Sequence, residues 1–192
     1  MSPQPGPDGR LRCPWAIATP DYGTYHDTEW GVPVHGTAPL FERLSLEAFQ
    51  SGLSWLTILR KREAFRRAFA GFDPVKVAAF TVDDVRRLLA DPGIVRNRAK
   101  IEATVRNARV VTELGADLDD LLWSFAPDPT QRRAPRTLAE VPARTEESVA
   151  MARALRRRGL TFIGPTTCYA LMQATRMVDD HLAGCFRRAA PG

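Results

Sequence analysis

Helix start and stop signals recur along this chain at intervals of about 10 to 20 residues, as in a packing of short globular helices, and they restrict its fold more than any other feature. Ser54, Asp73, Asn97 and Thr145 each stand where a side-chain oxygen can take the open N–H groups of a first helical turn. Asp73-Pro74 adds a proline at the first helical position, and Thr81 with Asp84 three residues on forms a capping-box pattern. Further starts are expected at Asp21, Thr37, Asp117 and Gly164-Pro165, and a last short helix over Asp179 to Cys185. Between the signals apolar residues return at helical spacing, as in Ile101, Val105, Ala108 and Val111, and no alternating segment reads as a strand. The expectation is an all-α domain of about nine or ten helices.

The 192 residues suffice for one domain with an adequate core. Residues 1–10 are proline, glycine and polar residues and read as a disordered arm. Residues 11–188 read as a single helical domain, and residues 189–192 as a tail. The proline-rich stretch 126–144 is the longest expected loop. No apolar run reaches about 18 residues and the N-terminus has no apolar segment of a secretory signal, so a cytoplasmic protein without a membrane span is expected.

The net charge of +5 comes almost wholly from arginine, with 24 arginines against three lysines. Residues 86–109 carry seven positive side chains and residues 110–130 none, which gives the molecule a basic side open to a polyanion. Cys13, Cys168 and Cys185 cannot all pair within one chain, which leaves metal binding or burial as their uses.

Three constellations can carry chemistry. His181 and Cys185 lie four apart and share a face if that segment is helical; Cys13 and His26 could complete a tetrahedral Cys2His2 set, which would be structural because it leaves no open position. Trp15, Tyr22, Tyr25, Trp30 and Trp55 crowd into the first 55 residues with Glu47 among them, either as core or as a cage for a flat cationic ligand. Gly159 to Thr166 is a glycine-punctuated turn between two helices, either a plain helical hairpin or one whose following helix offers backbone amides to a phosphate.

Four ordered motifs carry a resemblance. Arg12-Cys13-Pro14-Trp15, the run Tyr25 to Pro33, Leu46-Glu47 followed by Gly52-Leu53-Ser54-Trp55, and Phe162 to Tyr169 with Asp180-His181 to Cys185 together resemble the DNA-3-methyladenine glycosylase I family of the helix-hairpin-helix superfamily. The resemblance runs from about Arg12 to Cys185. It implies an all-helical helix-hairpin-helix glycosylase fold whose N- and C-terminal segments are clamped by a structural zinc ion on Cys13, His26, His181 and Cys185. It implies a base pocket at Glu47, Tyr25 and Trp55 with Trp15 and Trp30 nearby, and phosphate contacts at Gly164, Pro165 and Thr166. The implied reaction is hydrolysis of the N-glycosidic bond of 3-methyladenine in double-stranded DNA, with free base released and an abasic site left behind.

Two departures stand out. The family's Val-Asn-Asp-His segment reads Val178-Asp179-Asp180-His181 here, so Asp179 joins Glu47 as a candidate for the chemistry, orienting water or stabilising an oxocarbenium ion, against a role as a helix cap. Ala48-Phe49 stands beside Glu47 where smaller or polar residues are expected, which bears on the pocket's shape. No lysine falls in the pocket, hairpin or zinc motifs, so a monofunctional enzyme without lyase activity is expected; no long apolar heptad or repeated surface pattern occurs, so a monomer is expected. The competing reading is a zinc-stapled helical DNA-binding module without catalysis; only the enzyme needs Glu47 and the aromatic rings to face an accessible cavity.

Overall fold

A computed structural model describes residues 1–188; the tail expected at 189–192 lies outside the described residues. Helices dominate, in the order α1 (Pro20–Thr28), α2 (Thr37–Gln50), α3 (Trp55–Ala68), α4 (Pro74–Ala78), α5 (Val82–Ala90), α6 (Arg98–Leu114), α7 (Asp117–Trp123), α8 (Glu146–Arg157) and α9 (Pro165–Ala174). Short 3-10 turns at Pro14–Ile17, Ala70–Phe72, Pro129–Gln131 and Leu138–Glu140 join them. No helix among the described residues is long and apolar enough to cross a membrane.

Local capping sets most of these boundaries. Ser54 accepts from the Thr57 amide, Asn97 from Lys100, and Asp73 from both Val75 and Lys76. Thr81 with Asp84 closes a reciprocal capping box, and Thr145 closes another with Ser148. Two expected starts move. Thr19, not Asp21, caps α1, with Pro20 at the first helical position. Gly36 precedes α2 at φ +90°, its amide bound to Asp119, which leaves the Thr37 hydroxyl to donate to the Gly115 carbonyl.

The core is built around α2, which packs against α3, α6 and α9. Its Leu40, Phe41, Leu44 and Phe49 are fully enclosed, together with Phe65, Phe69, Ile101, Val111, Met151 and Leu171 from the surrounding helices. Phe49 packs tilted against Phe65 at 4.6 Å and edge to face against Phe69 at 5.7 Å between ring centroids, so it fills the core and does not narrow a pocket beside Glu47. A second, smaller apolar cluster joins Cys13, Leu182 and Cys185 from the two ends of the chain.

Two expectations fail for a common reason: hydrogen bonds replace the missing apolar pattern. Residues 1–10 are not a disordered arm, since Gln4–Pro5 pairs with Leu11–Arg12 in an antiparallel ribbon. The Arg12 guanidinium, nearly enclosed, bridges Asp8 and Asp27 and ties that ribbon to α1. Asp179 to Cys185 is not helical either. There the Asp179 carboxylate accepts the His181 amide, and Gly184 adopts φ +90°, so side-chain bonding and turn geometry displace the helix ladder.

Candidate active site

A cavity of about 350 Å³ opens where the first third of the chain meets α9 and the C-terminal segment. Trp15 comes from the first 3-10 turn, Tyr22 and Tyr25 from α1, Trp30 from the turn after it, Glu47 and Gln50 from α2, and Trp55 from the first position of α3. Ala170, Gln173 and Asp180 line the opposite side, and Leu138 and Val141 from the long loop complete the wall. The rings brace one another edge to face, with centroids 5.1 Å apart for Trp15 and Trp30 and 5.7 Å for Trp15 and Tyr22; Tyr25 leans on Trp55 at 5.4 Å. The Tyr22 hydroxyl accepts the Leu56 amide at 3.0 Å, which fixes α1 against the start of α3.

Glu47 is 6% exposed, and its carboxyl makes no hydrogen bond among the described residues. Burial pushes its pKa up to about 8, opposed only by the charge of Arg43 one turn earlier on α2. Burial likewise raises the Tyr25 phenol, which stays protonated. Trp55 Nε1 is a second unmet polar atom on the cavity wall. An aromatic slot with one uncompensated carboxyl suits a flat ligand that carries positive charge and N–H donors.

Asp180 is the pocket residue that the sequence motifs left without a role. Its carboxylate is nearly enclosed and takes hydrogen bonds at 2.9 Å from Arg132 Nη2 and from Gln173 Nε2, and a third from the Tyr169 hydroxyl. Arg132 thereby ties the long loop to the cavity floor. Asp179, the expected participant in the chemistry, does not line the cavity. It turns away and accepts from His181 Nδ1 at 2.8 Å, and His181 with the charge of Arg188 holds its carboxyl low against the burial that would raise it, at a pKa of about 2. Adjacent residues therefore face different sites.

Behind the aromatic wall, ligand atoms of Cys13, His26 and Cys185 converge within 4.8 Å of one another, all three residues buried. His26 Nε2 lies 3.3 Å from Cys185 Sγ while its Nδ1 meets Asp27 at 2.8 Å. A hydrogen bond from Cys13, with His26 beside it, holds the Cys185 thiol well below its ordinary pKa. This group could hold a metal ion. His181, the fourth expected ligand, stands outside the group, its ring centroid 5.1 Å from that of His26, and its buried Nε2 has no hydrogen-bond partner among the described residues. Both histidines thus use Nδ1 on a carboxylate, which orients Nε2 for a ligand. Gly31, at φ +70°, lets the backbone pass; a Cβ there would stand 2.5 Å from the His181 ring.

The glycine-rich turn between α8 and α9 is clasped from α6. Asn107 accepts the Thr161 amide at 2.8 Å and donates to the Thr161 carbonyl at 3.0 Å, a role its position on a helix did not announce. Gly164 caps α9 with no side-chain bond, so the first amides of that helix stay open. Of the three expected phosphate contacts, Gly164 and Thr166 carry an N–H; Pro165 has none and serves by fixing the first helical φ.

The family model described as methyladenine glycosylase matches residues 15–188. The DNA-3-methyladenine glycosylase 1 of Escherichia coli (strain K12) is 47% identical over 177 residues, 91% of this chain and 95% of that protein. A crystal structure of a 3-methyladenine DNA glycosylase I superposes with a TM-score of 0.88 at 44% identity, covering 93% of this chain and all of the other. A second, from Staphylococcus aureus, described for its recognition of 3-methyladenine, superposes with a TM-score of 0.87 at 32% identity, covering 94% of this chain and 98% of the other.

Proposed function

Because the chain belongs to the methyladenine glycosylase family, we propose that it removes 3-methyladenine from alkylated duplex DNA, hydrolysing the N-glycosidic bond and leaving an abasic site. The observation that carries this reading is the unpartnered Glu47 carboxyl facing a cavity walled by Tyr25, Trp15, Trp30 and Trp55. A non-catalytic DNA-binding module would bury those rings against one another and gain nothing from an unsatisfied carboxyl.

Alkylation at N3 places a positive charge on the base, so the base leaves as a neutral molecule and needs little acid catalysis. The aromatic rings stack on it and favour the cation over neutral adenine by roughly 0.5–2 kcal/mol per well-placed ring. Glu47, once it gives up its proton to meet the positive base, would accept N–H donors from the adenine edge in charge-assisted hydrogen bonds. Extracting the nucleotide from the duplex costs a few kcal/mol, least for a damaged, weakly paired base. The open amides at Gly164 and Thr166, with Arg153, Arg156 and Arg157 on α8 beside them, would hold backbone phosphates.

The three lysines support a monofunctional reaction. Lys100 is tied to the Phe49 and Ser51 carbonyls, Lys61 to Pro92 and Gly93, and Lys76 pairs with Asp73, so none lines the cavity to form a Schiff base.

A zinc ion fits the buried donor set. Cys13, His26 and Cys185 would hold it, with the orphaned His181 Nε2 as the fourth donor. Bound there, zinc would serve as a structural clamp between the chain ends. Asp27 and Asp179 would then be the carboxylates that orient the two histidines.

Incubating the protein with methylated duplex DNA and separating products by chromatography tests the activity: free 3-methyladenine is expected, and a folded, zinc-replete protein that releases no methylated base overturns the reading. Asp179→Asn should keep single-turnover release within about twofold, since asparagine retains an oxygen for His181 and the residue stands off the cavity. A loss of more than tenfold with the fold intact would put Asp179 back into the chemistry.

A further inference from the structure

Behind Glu47 lies a charge cluster that is short of one negative charge. Glu29, at the end of α1, receives a two-point clasp from Arg62 on α3, with Nη1 at 2.6 Å and Nη2 at 2.8 Å. One carboxylate is thus already matched by one guanidinium. Arg43 on α2 approaches the same carboxylate only at its edge, 3.3 Å from Oε2. Its side chain is 13% exposed, and its Nη1 is buried with no hydrogen-bond partner among the described residues. Two guanidiniums against one carboxylate leave a net positive charge largely withdrawn from water, an arrangement that is costly until a second anion joins it.

Glu47 is placed to be that anion. It lies one helical turn beyond Arg43, the spacing at which side chains on a helix are neighbours. Tyr25 lines the cavity with Glu47, and Glu29 follows it by one helical turn at the end of α1, so the Arg43–Glu29–Arg62 group is anchored on the helix that walls the pocket. Across the cavity the charged groups are Asp180 and Arg132, which satisfy each other. Among the described charged groups around Glu47, Arg43 is the one with an unmet donor.

We infer that Arg43 is a specificity-determining positioning residue: its surplus charge keeps the carboxylate form of Glu47 accessible near neutral pH, so that the pocket presents an anion to a cationic base. This rests on the reading of Glu47 as the group that recognises the base. Without Arg43, burial alone would govern Glu47, the minor ionised fraction present at neutral pH would shrink further, and cationic and neutral purines would be told apart less well. Glu29 acts in the opposite sense, since it draws on the same guanidinium and adds negative charge nearby.

The test uses the full-length, zinc-replete protein and two independent readouts. The first is the titration midpoint of the Glu47 carboxyl by 13C NMR, with its signal assigned by its loss in Glu47→Gln. The second is the pH profile of single-turnover base release from methylated duplex. Arg43→Met should raise the midpoint by at least about one pH unit, and lower release about tenfold at pH 7 with recovery as pH rises. Arg43→Lys should restore most of both, and Glu29→Gln should lower the midpoint. Opposite shifts from two neighbouring substitutions cannot come from general loosening of the fold. Should Arg43→Met not fold, as judged by circular dichroism, Arg43→Gln takes its place.

An unchanged midpoint in Arg43→Met or Arg43→Gln overturns the inference, as does an equal rise in Arg43→Lys. If the wild type releases no base yet the midpoint shifts as described, the electrostatic pairing stands and the glycosylase reading fails. If release is robust and the midpoint does not move, the reverse holds.

Discussion

Glu47→Gln is expected to cut release of 3-methyladenine by about 10- to 100-fold while making the protein more stable at alkaline pH. The loss follows from replacing a carboxyl that can ionise against the cationic base by an amide that cannot, since a hydrogen bond to a charged group contributes about 1.5–3 kcal/mol. The gain follows from linkage. The Glu47 pKa stands at about 8 in the folded protein against 4.5 for an ordinary glutamate, so the folded state binds the proton more tightly than the unfolded chain. Between those two values the folded state carries more protons, and Glu47 therefore makes stability fall as pH rises. Below pH 4.5 both states are protonated and the side chain has no such effect; above about 8 its full cost, on the order of a few kcal/mol, is present. Glutamine has no charge to bury. The difference in melting temperature between variant and wild type should accordingly be small near pH 4, widen through neutrality and level off above pH 8. A variant that is less stable than wild type at pH 8.5, with release intact, would show that Glu47 is a structural residue and not a recognition group.

Removal of zinc is expected to lower the melting temperature by about 10 °C or more while leaving most of the helical content in place. Structural zinc contributes folding free energy directly, and in a domain of this size each kcal/mol corresponds to about 2–4 °C. The main core around α2 contains none of the proposed ligands, whereas Cys13 and Cys185 sit in the separate cluster that joins the chain ends. Chelation should therefore release the ends before it melts the body. The base pocket should suffer too, because the Trp15 and Trp30 rings line the cavity and also touch the two histidines proposed as ligands, at 5.2 Å from His26 and 4.5 Å from His181. Tryptophan emission and affinity for free 3-methyladenine should change together on chelation and return with zinc. Bound metal measured by elemental analysis should be close to one per chain, and His181→Ala should weaken its retention. Purified protein that carries no metal and melts identically with and without chelator would refute the clamp.

Much of the site was legible before any coordinates. Glu47, Tyr25, Trp15, Trp30 and Trp55 do meet around one cavity, and Cys13, His26 and Cys185 do converge. The aromatic residues were conspicuous because tryptophan is rare and five tryptophan and tyrosine rings fell within 55 residues, and the candidate metal ligands because cysteine and histidine are few. Leu138 and Val141 carried no such signal: a leucine and a valine in a proline-rich stretch look the same whether they cover a pocket or rest on the surface. Arg43 and Arg62 were two of 24 arginines, and nothing in their local sequence distinguished them from solvated charges.

The line between the two kinds of information follows the range of the interactions. Capping, proline placement and helical periodicity act over three or four residues, so the sequence by itself determined that the chain is helical and where Ser54, Asp73, Thr81, Asn97 and Thr145 begin helices. Which way an irregular segment points depends on contacts made far along the chain. In Val178-Asp179-Asp180-His181 two neighbouring aspartates look equivalent, yet Asp180 is drawn to Arg132 and Gln173 on the cavity wall and Asp179 to His181 behind it. Only the tertiary structure decided that, because with no helix or strand to set the period, side-chain direction there is fixed by the partners each carboxylate finds.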